Sequence, residues 1–209
     1  MRRPSGHSRS DAVRGMGDER VQGMSRAVAE TGHKLRVNVR RKGRTFEADA
    51  ECRIDAGSTV VWDTITDYAA LPSYMPGIRA CRVVERVREG RDGERLLVEQ
   101  QGEFRFLLFA QDLKVQLDIE HRGRRVAHAR ALSFDLGVLK GRAIETFEGR
   151  YELDQAAVRG PVILRYTALI VSRLPPPPAI GSAAVRQNLE TQLRAVVQES
   201  ERRAAARRR

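Results

Sequence analysis

The alternation of apolar and polar positions begins at Leu35. Leu35, Val37 and Val39 alternate with polar residues, Arg41-Lys42-Gly43-Arg44 supplies a turn, and Phe46, Ala48, Ala50, Cys52 and Ile54 then alternate with charged neighbours. A period of two is the mark of a half-buried strand, so this stretch predicts a hairpin with one wet face. The period then lengthens. Asp55-Ala56-Gly57-Ser58 offers a helix start with Ser58 as the expected cap, and Val60, Val61, Thr64, Ile65 and Tyr68 recur at helical spacing. Leu71 to Gly77 follows as a short helix or turn bracketed by Pro72 and Pro76.

Six more strands are predicted at about 79–88, 94–107, 110–121, 125–135, 143–154 and 162–172, most of them separated by glycines. Short connections favour antiparallel neighbours. The tetraproline Pro175 to Pro178 is a stiff break. Beyond it Ile180, Ala184, Val185, Leu189, Leu193, Val196 and Val197 form an apolar stripe at helical period. A sheet with one wet face needs a cover on the other, and only this last helix is large enough. The order predicts an α+β helix-grip fold: a curved antiparallel sheet of about seven strands wrapped around a long C-terminal helix.

Composition adds boundaries. Residues 1 to about 33 are polar and rich in Gly, Ser and Arg, and are expected to be a disordered basic leader with at most a short helix over Val21 to Ala29. Residues 34–203 are expected to be the folded domain, and 204–209 a basic tail. The net charge of +11 owes much to arginines in the leader and at the C-terminus, which favours contact with anionic surfaces, either phospholipid headgroups or nucleic acid. No apolar run reaches the roughly 20 residues that span a bilayer, and no signal-peptide pattern follows the first arginines. The expected location is the cytoplasm, with room for peripheral contact with the inner membrane. Cys52 and Cys81 lack metal-ligand or Cys-x-x-Cys spacing and read as buried free thiols.

The segment Val61-Trp62-Asp63-Thr64-Ile65-Thr66-Asp67-Tyr68-Ala69-Ala70-Leu71-Pro72-Ser73-Tyr74-Met75-Pro76-Gly77-Ile78 resembles the signature of the polyketide cyclase/coenzyme Q-binding branch of the START-like (SRPBCC) superfamily. Val98 to Gly102 with Phe104, and Phe147 to Leu153 followed by Leu164-Arg165-Tyr166, are similar to the same group. The resemblance runs from about residue 45 to 203. It implies a deep cavity between sheet and long helix, without metal or nucleotide cofactor, that takes a quinone, another lipid or an aromatic polyketide. It also implies that Tyr68, Leu71, Tyr74 and Met75 contribute to the rim of that cavity.

Strand alternation supplies candidate walls. The inward set is Leu96, Val98, Gln100, Gly102, Phe104 and Phe106 on one strand and Leu113, Val115, Leu117 and Ile119 on the next. Phe147, Gly149, Tyr151 and Leu153, then Leu164, Tyr166, Ala168 and Ile170, complete it, with Leu189 from the helix. Gln100, Tyr151 and Tyr166 are the polar groups that could orient a guest, and Gly102 and Gly149 are expected to leave room. The expected ligand-binding set is therefore Tyr68, Tyr74, Met75, Gln100, Phe104, Phe106, Leu117, Phe147, Tyr151, Tyr166 and Leu189.

Catalysis has thinner support. His128 alternates with Val126, Arg130 and Leu132 and is a candidate to face inward near Tyr151, while His121 sits at a strand end. Asp63 and Asp67 share a helix face at i, i+4 and are expected to be solvent-exposed rather than an acid/base couple. No nucleophile triad, phosphate loop or nucleic-acid-binding motif is evident. The reading leans to a binding or transport module. The alternatives are a cyclase or aromatase needing two or more polar side chains converging inside, and a ribosome- or RNA-associated interaction protein; the oligomeric state is open.

Overall fold

The alternating segments fold as strands and the long stripe as a helix. In the computed structural model the elements are β1 (Leu35–Lys42), β2 (Thr45–Ile54), α1 (Ser58–Thr66), a 3-10 turn (Tyr68–Ala70), α2 (Leu71–Tyr74), β3 (Ile78–Glu89), β4 (Gly93–Phe106), β5 (Phe109–Arg122), β6 (Val126–Asp135), β7 (Ile144–Leu153), β8 (Val162–Ser172) and α3 (Ser182–Ala206). The structure describes residues 35–90, 92–106, 109–135, 144–154, 160–173 and 181–208, without the side chains of residues 104–111. The expected leader with its helix at Val21 to Ala29, and the tetraproline break, lie outside the described residues.

All pairings are antiparallel, in the order β1-β2-β8-β7-β6-β5-β4-β3. The sheet is open and curved, with eight strands where about seven were expected. The first hairpin contributes two full strands. Its second strand pairs with β8, so the meander β3 to β8 returns beside β2 and leaves β1 and β3 as the edges.

One face of the sheet carries the core. Ile54, Leu96, Leu153, Leu164, Val98 and Val162 are almost fully buried, and Leu193 and Val196 of α3 join them with Val61 of α1. The other face carries ion pairs, among them Arg95 with Asp118 at 2.7 Å and Arg82 with Glu99 at 2.5 Å. The inner surface of α3 meets β1, β2, α1 and α2. On β6 and β7, Ala129, Ala131, Phe134, Phe147 and Tyr151 pack against the core but stay only partly buried. Both cysteines are buried and free. Burial pushes the Cys52 thiol up to about 12 and the Cys81 thiol up to about 11, the latter against the opposing Gln100 side chain.

Three local expectations are corrected. Gly57, not Ser58, caps α1: it is extended (φ −68°, ψ 152°), its carbonyl accepts from the amides of Val60 and Val61, and Ser58 is already helical. Glycine serves as a cap at little cost because it has no side chain to misplace. Gly102 does not leave cavity space. A Cβ there would fall 2.0 Å from the carbonyl oxygen of Gly77, itself at φ +84°, so its bareness admits the backbone of the turn before β3. His128 faces outward. It stands opposite Glu120 and Arg150, and its Nε2 lies 3.9 Å from a Glu148 oxygen.

Candidate functional site

Residues directly opposite on neighbouring antiparallel strands share a face. Two such rows cross the inner face side by side. The first runs Ala48, Ala168, Gly149, Ala129, Ile119 and Leu96 from β2 to β4. The second runs Ala50, Tyr166, Tyr151, Ala127, His121 and Glu94. A floor of small residues therefore lies beside a row that holds two phenols, an imidazole and a carboxylate.

At the β4–β5 end the polar row is closed on itself. The Arg86 guanidinium donates to Glu94 Oε1 at 2.7 Å, and Glu94 Oε2 is 3.1 Å from His121 Nδ1. A carboxylate held this way can only accept, which fixes the Nδ1–H tautomer. Nε2 then accepts from Tyr68 Oη at 2.7 Å. Trp62 meets the imidazole edge-on at 5.2 Å and Tyr68 stacks on it at 5.9 Å. Desolvation lowers the His121 pKa from its ordinary value, with Glu94 opposing. A neutral, buried histidine favours the fold at high pH. Its contribution is complete above the unfolded value of 6.5 and declines as pH falls below it, because the unfolded chain takes up the proton first. His121→Gln is therefore expected to flatten the loss of urea stability between pH 6.5 and the carboxylate range. An unchanged slope would contradict a neutral His121.

The β7–β8 end is different. Tyr151 and Tyr166 are direct partners with ring centroids 4.7 Å apart and planes tilted by 42°. Burial raises the pKa of both phenols, Tyr166 to about 12. Among the described residues neither hydroxyl has a hydrogen-bond partner, yet neither is sealed off: the one fully enclosed side-chain N or O atom there without a partner is Ser200 Oγ. Both phenols thus lie deep in the protein with their oxygens open to space. Tyr166 Oη stands 3.1 Å from where a Cβ on Gly149 would be, with the edge of Phe147 at 3.4 Å from the same point. The missing side chain of Gly149 is the ground this hydroxyl occupies.

The other expected site residues distribute as follows. Leu117 and Leu189 are buried in the core, and Gln100 is half-buried opposite Cys81. Phe147 is half-buried and meets Phe134 edge-on at 6.0 Å. Tyr68 and Met75 are buried with Leu71. Tyr74 is half-buried, donates from Oη to the Thr64 carbonyl at 2.7 Å and lies under the Arg203 guanidinium at 5.9 Å. Phe104 and Phe106 belong to the end of β4, and their side chains lie outside the described residues. His121, Glu94 and Arg86 were not singled out as site residues. The parity that placed Leu96 and Val98 inward also places Glu94, and that of Leu117 and Ile119 also places His121.

Asp63 and Asp67 are not a carboxylate couple. Asp63 pairs with Arg124 at 2.5 Å and Arg207 at 3.1 Å, and Asp67 with Arg203 at 3.1 Å. On the outer face a groove of about 410 Å3 is lined by Arg40, Glu47, Asp49, His128, Glu148 and Arg150, among others. These six ionisable side chains share the walls with Ala48, Gly149, Ala168 and Leu169, and the groove opens to solvent, a poor match for an apolar guest.

The curved antiparallel sheet and long C-terminal helix make this a helix-grip protein. The chain belongs to the polyketide cyclase/dehydrase and lipid transport family, whose model matches residues 54–197. Among solved structures it is similar to an aromatase/cyclase, ZhuI, from Streptomyces sp. R1128 (18% identity, TM-score 0.58, covering 76% of this chain and 95% of that one). It is similar too to a STAR-related lipid transfer protein from Xanthomonas axonopodis (19%, 0.57, 82% and 96%) and to a START superfamily protein from Mycobacterium smegmatis (13%, 0.56, 77% and 97%). At these identities the likeness concerns the fold. No curated protein matches the chain by sequence. No helix among the described residues is long and apolar enough to cross a membrane.

Proposed function

We propose that this chain binds an apolar small molecule or lipid, such as a quinone, another isoprenoid or an acyl lipid, in a space between the inner face of β6–β8 and α3. The observation that carries the reading is Tyr151: it stands mid-row on the inner face between Tyr166 and Ala127, yet the residue is only partly covered and its oxygen is not sealed off. A wall that is both deep and incompletely covered is the wall of a cavity. The partial burial of Phe134, Phe147, Ala129 and Ala131 around it supports the same reading. Burial of apolar guest surface supplies the affinity, at about 25 cal/mol per Å2 before ordering costs.

The test is extraction of the purified protein followed by mass spectrometry of copurified small molecules. A bound apolar guest is expected from the wild type. Ala168→Phe, which fills the small-residue floor while keeping it apolar, is expected to lower its occupancy at least about tenfold, since several kcal/mol of guest burial are displaced. Empty wild-type protein that takes up no apolar compound would refute the reading.

A second reading, a cyclase-type enzyme, draws support from the polar row. Tyr166, Tyr151 and His121 lie in line on one inner face, which meets the requirement for more than one polar side chain inside. His121 has both nitrogens bonded, however, so only the phenols are ready to meet a substrate. Binding without turnover is the better supported of the two.

A further inference from the structure

We propose that Tyr151 and Tyr166 form a hydrogen-bonding subsite for an accepting oxygen, so that the guest is a rigid apolar molecule bearing a carbonyl or similar oxygen and not a plain hydrocarbon or a simple acyl chain. The proposal rests on the cavity reading above and narrows it to a ligand class.

Four observations converge. Tyr166 is 7% exposed and its hydroxyl is aimed over the bare backbone of Gly149. Among the described residues neither phenol oxygen has a partner. The neighbours around them on the sheet are Ala50, Ala127, Ala48, Ala168, Ala129 and Gly149, whose side chains carry no polar atom. In the same row His121 is saturated by Tyr68 and Glu94, so the two phenols are the row's unused donors. Burial keeps both phenols protonated, and therefore able to donate, across the physiological range. Two hydroxyls on facing rings among alanines would be stranded by a hydrocarbon guest. An accepting oxygen satisfies them, and discrimination of this kind is larger than a hydrophobic pocket achieves by shape.

The experiment uses the full chain stripped of copurified lipid and a matched pair of probes, 9-fluorenone and fluorene. They share one rigid outline and differ at a single carbon, carbonyl in one and methylene in the other. Calorimetric titration is expected to show fluorenone binding about tenfold or more tighter than fluorene. The carbonyl stretch of bound fluorenone should shift to lower frequency. In the double variant Tyr151→Phe, Tyr166→Phe the ratio is expected to fall to near one and the stretch to return, while fluorene binds at least as tightly as to the wild type because no hydroxyl is left for it to strand. The two single variants, each losing one oxygen, should fall between.

A ratio near one in the wild type, or a preference that survives in the double variant, overturns the proposal. If neither probe binds but apolar guest still copurifies, this inference falls alone. If neither binds and nothing copurifies, the cavity reading falls with it.

Discussion

Gly102→Ala is expected to cost at least about 3 kcal/mol of folding stability, measured by urea denaturation, or to leave the protein insoluble. The added methyl would sit 2.0 Å from Gly77 O, 3.1 Å from its carbonyl carbon and 3.2 Å from the Ile78 Cα. All three are backbone, and they are held: Gly77 O accepts from the Glu103 amide at 2.7 Å, and Ile78 is registered against Gly102 across β3 and β4. Relief requires pulling the turn off the sheet, which would also move the segment carrying Tyr74 and Met75. Gly149→Ala provides the contrast. Its new methyl meets the tips of Tyr166 and Phe147 at 3.1 and 3.4 Å, and side-chain tips can shift. The expected cost is only about 1 kcal/mol. Equal costs at the two positions would mean that both glycines serve the same purpose, contrary to the geometry.

These two glycines also show how much the sequence could say. Alternation on β4, β5, β7 and β8 placed Gln100, Leu117, Tyr151 and Tyr166 on the inner face, because large apolar residues alternate there with charged ones. The same rule misled on β6. Its inward residues are Ala127, Ala129 and Ala131, while the bulkier His128 and Leu132 point out, Leu132 being 58% exposed. A floor made of alanine carries little hydrophobic signal, and an outward leucine inverts what remains. What alternation lacks entirely is contact between distant segments. Glycine at 102 reads as empty space until Gly77 is laid against it. His121 reads as a strand end until Glu94 and Tyr68 close on its two nitrogens. Asp63 lies on α1 and Asp67 is its non-helical C-cap, and their partners Arg207 and Arg203 at the end of the chain lie more than 130 residues away in sequence.

Those arginines carry the second large effect. Glu199 is 7% exposed, and its carboxylate accepts from Arg202 Nε at 2.7 Å and from Arg203 Nε at 2.7 Å. Arg203 reaches on to Asp67 and stacks over Tyr74, so the carboxylate organises the contact of α3 with α1 and α2. The Arg202 hydrogen bond, above all, with help from Arg203 and against desolvation, holds the Glu199 pKa down at about 2 from 4.5. The folded state therefore prefers the ionised form. The stability this contributes is complete above pH 4.5 and is lost as pH falls toward 2. One pKa unit is worth about 1.4 kcal/mol, which sets a ceiling of about 3 kcal/mol, reduced by solvent screening at the exposed Arg202. Glu199→Gln is expected to cost about 2 kcal/mol at pH 7, with the difference from wild type shrinking steadily through the acid limb of urea titrations. A deficit that stays constant with pH would assign the loss to packing and not to charge. The outcome also bears on the basic C-terminus: Arg202, Arg203 and Arg207 are engaged with Glu199, Asp67 and Asp63, so much of the positive charge there is spoken for by the grip of the helix. Attraction to an anionic surface would have to draw on other arginines, or compete with these pairs and loosen α3 from the helices beside Tyr74.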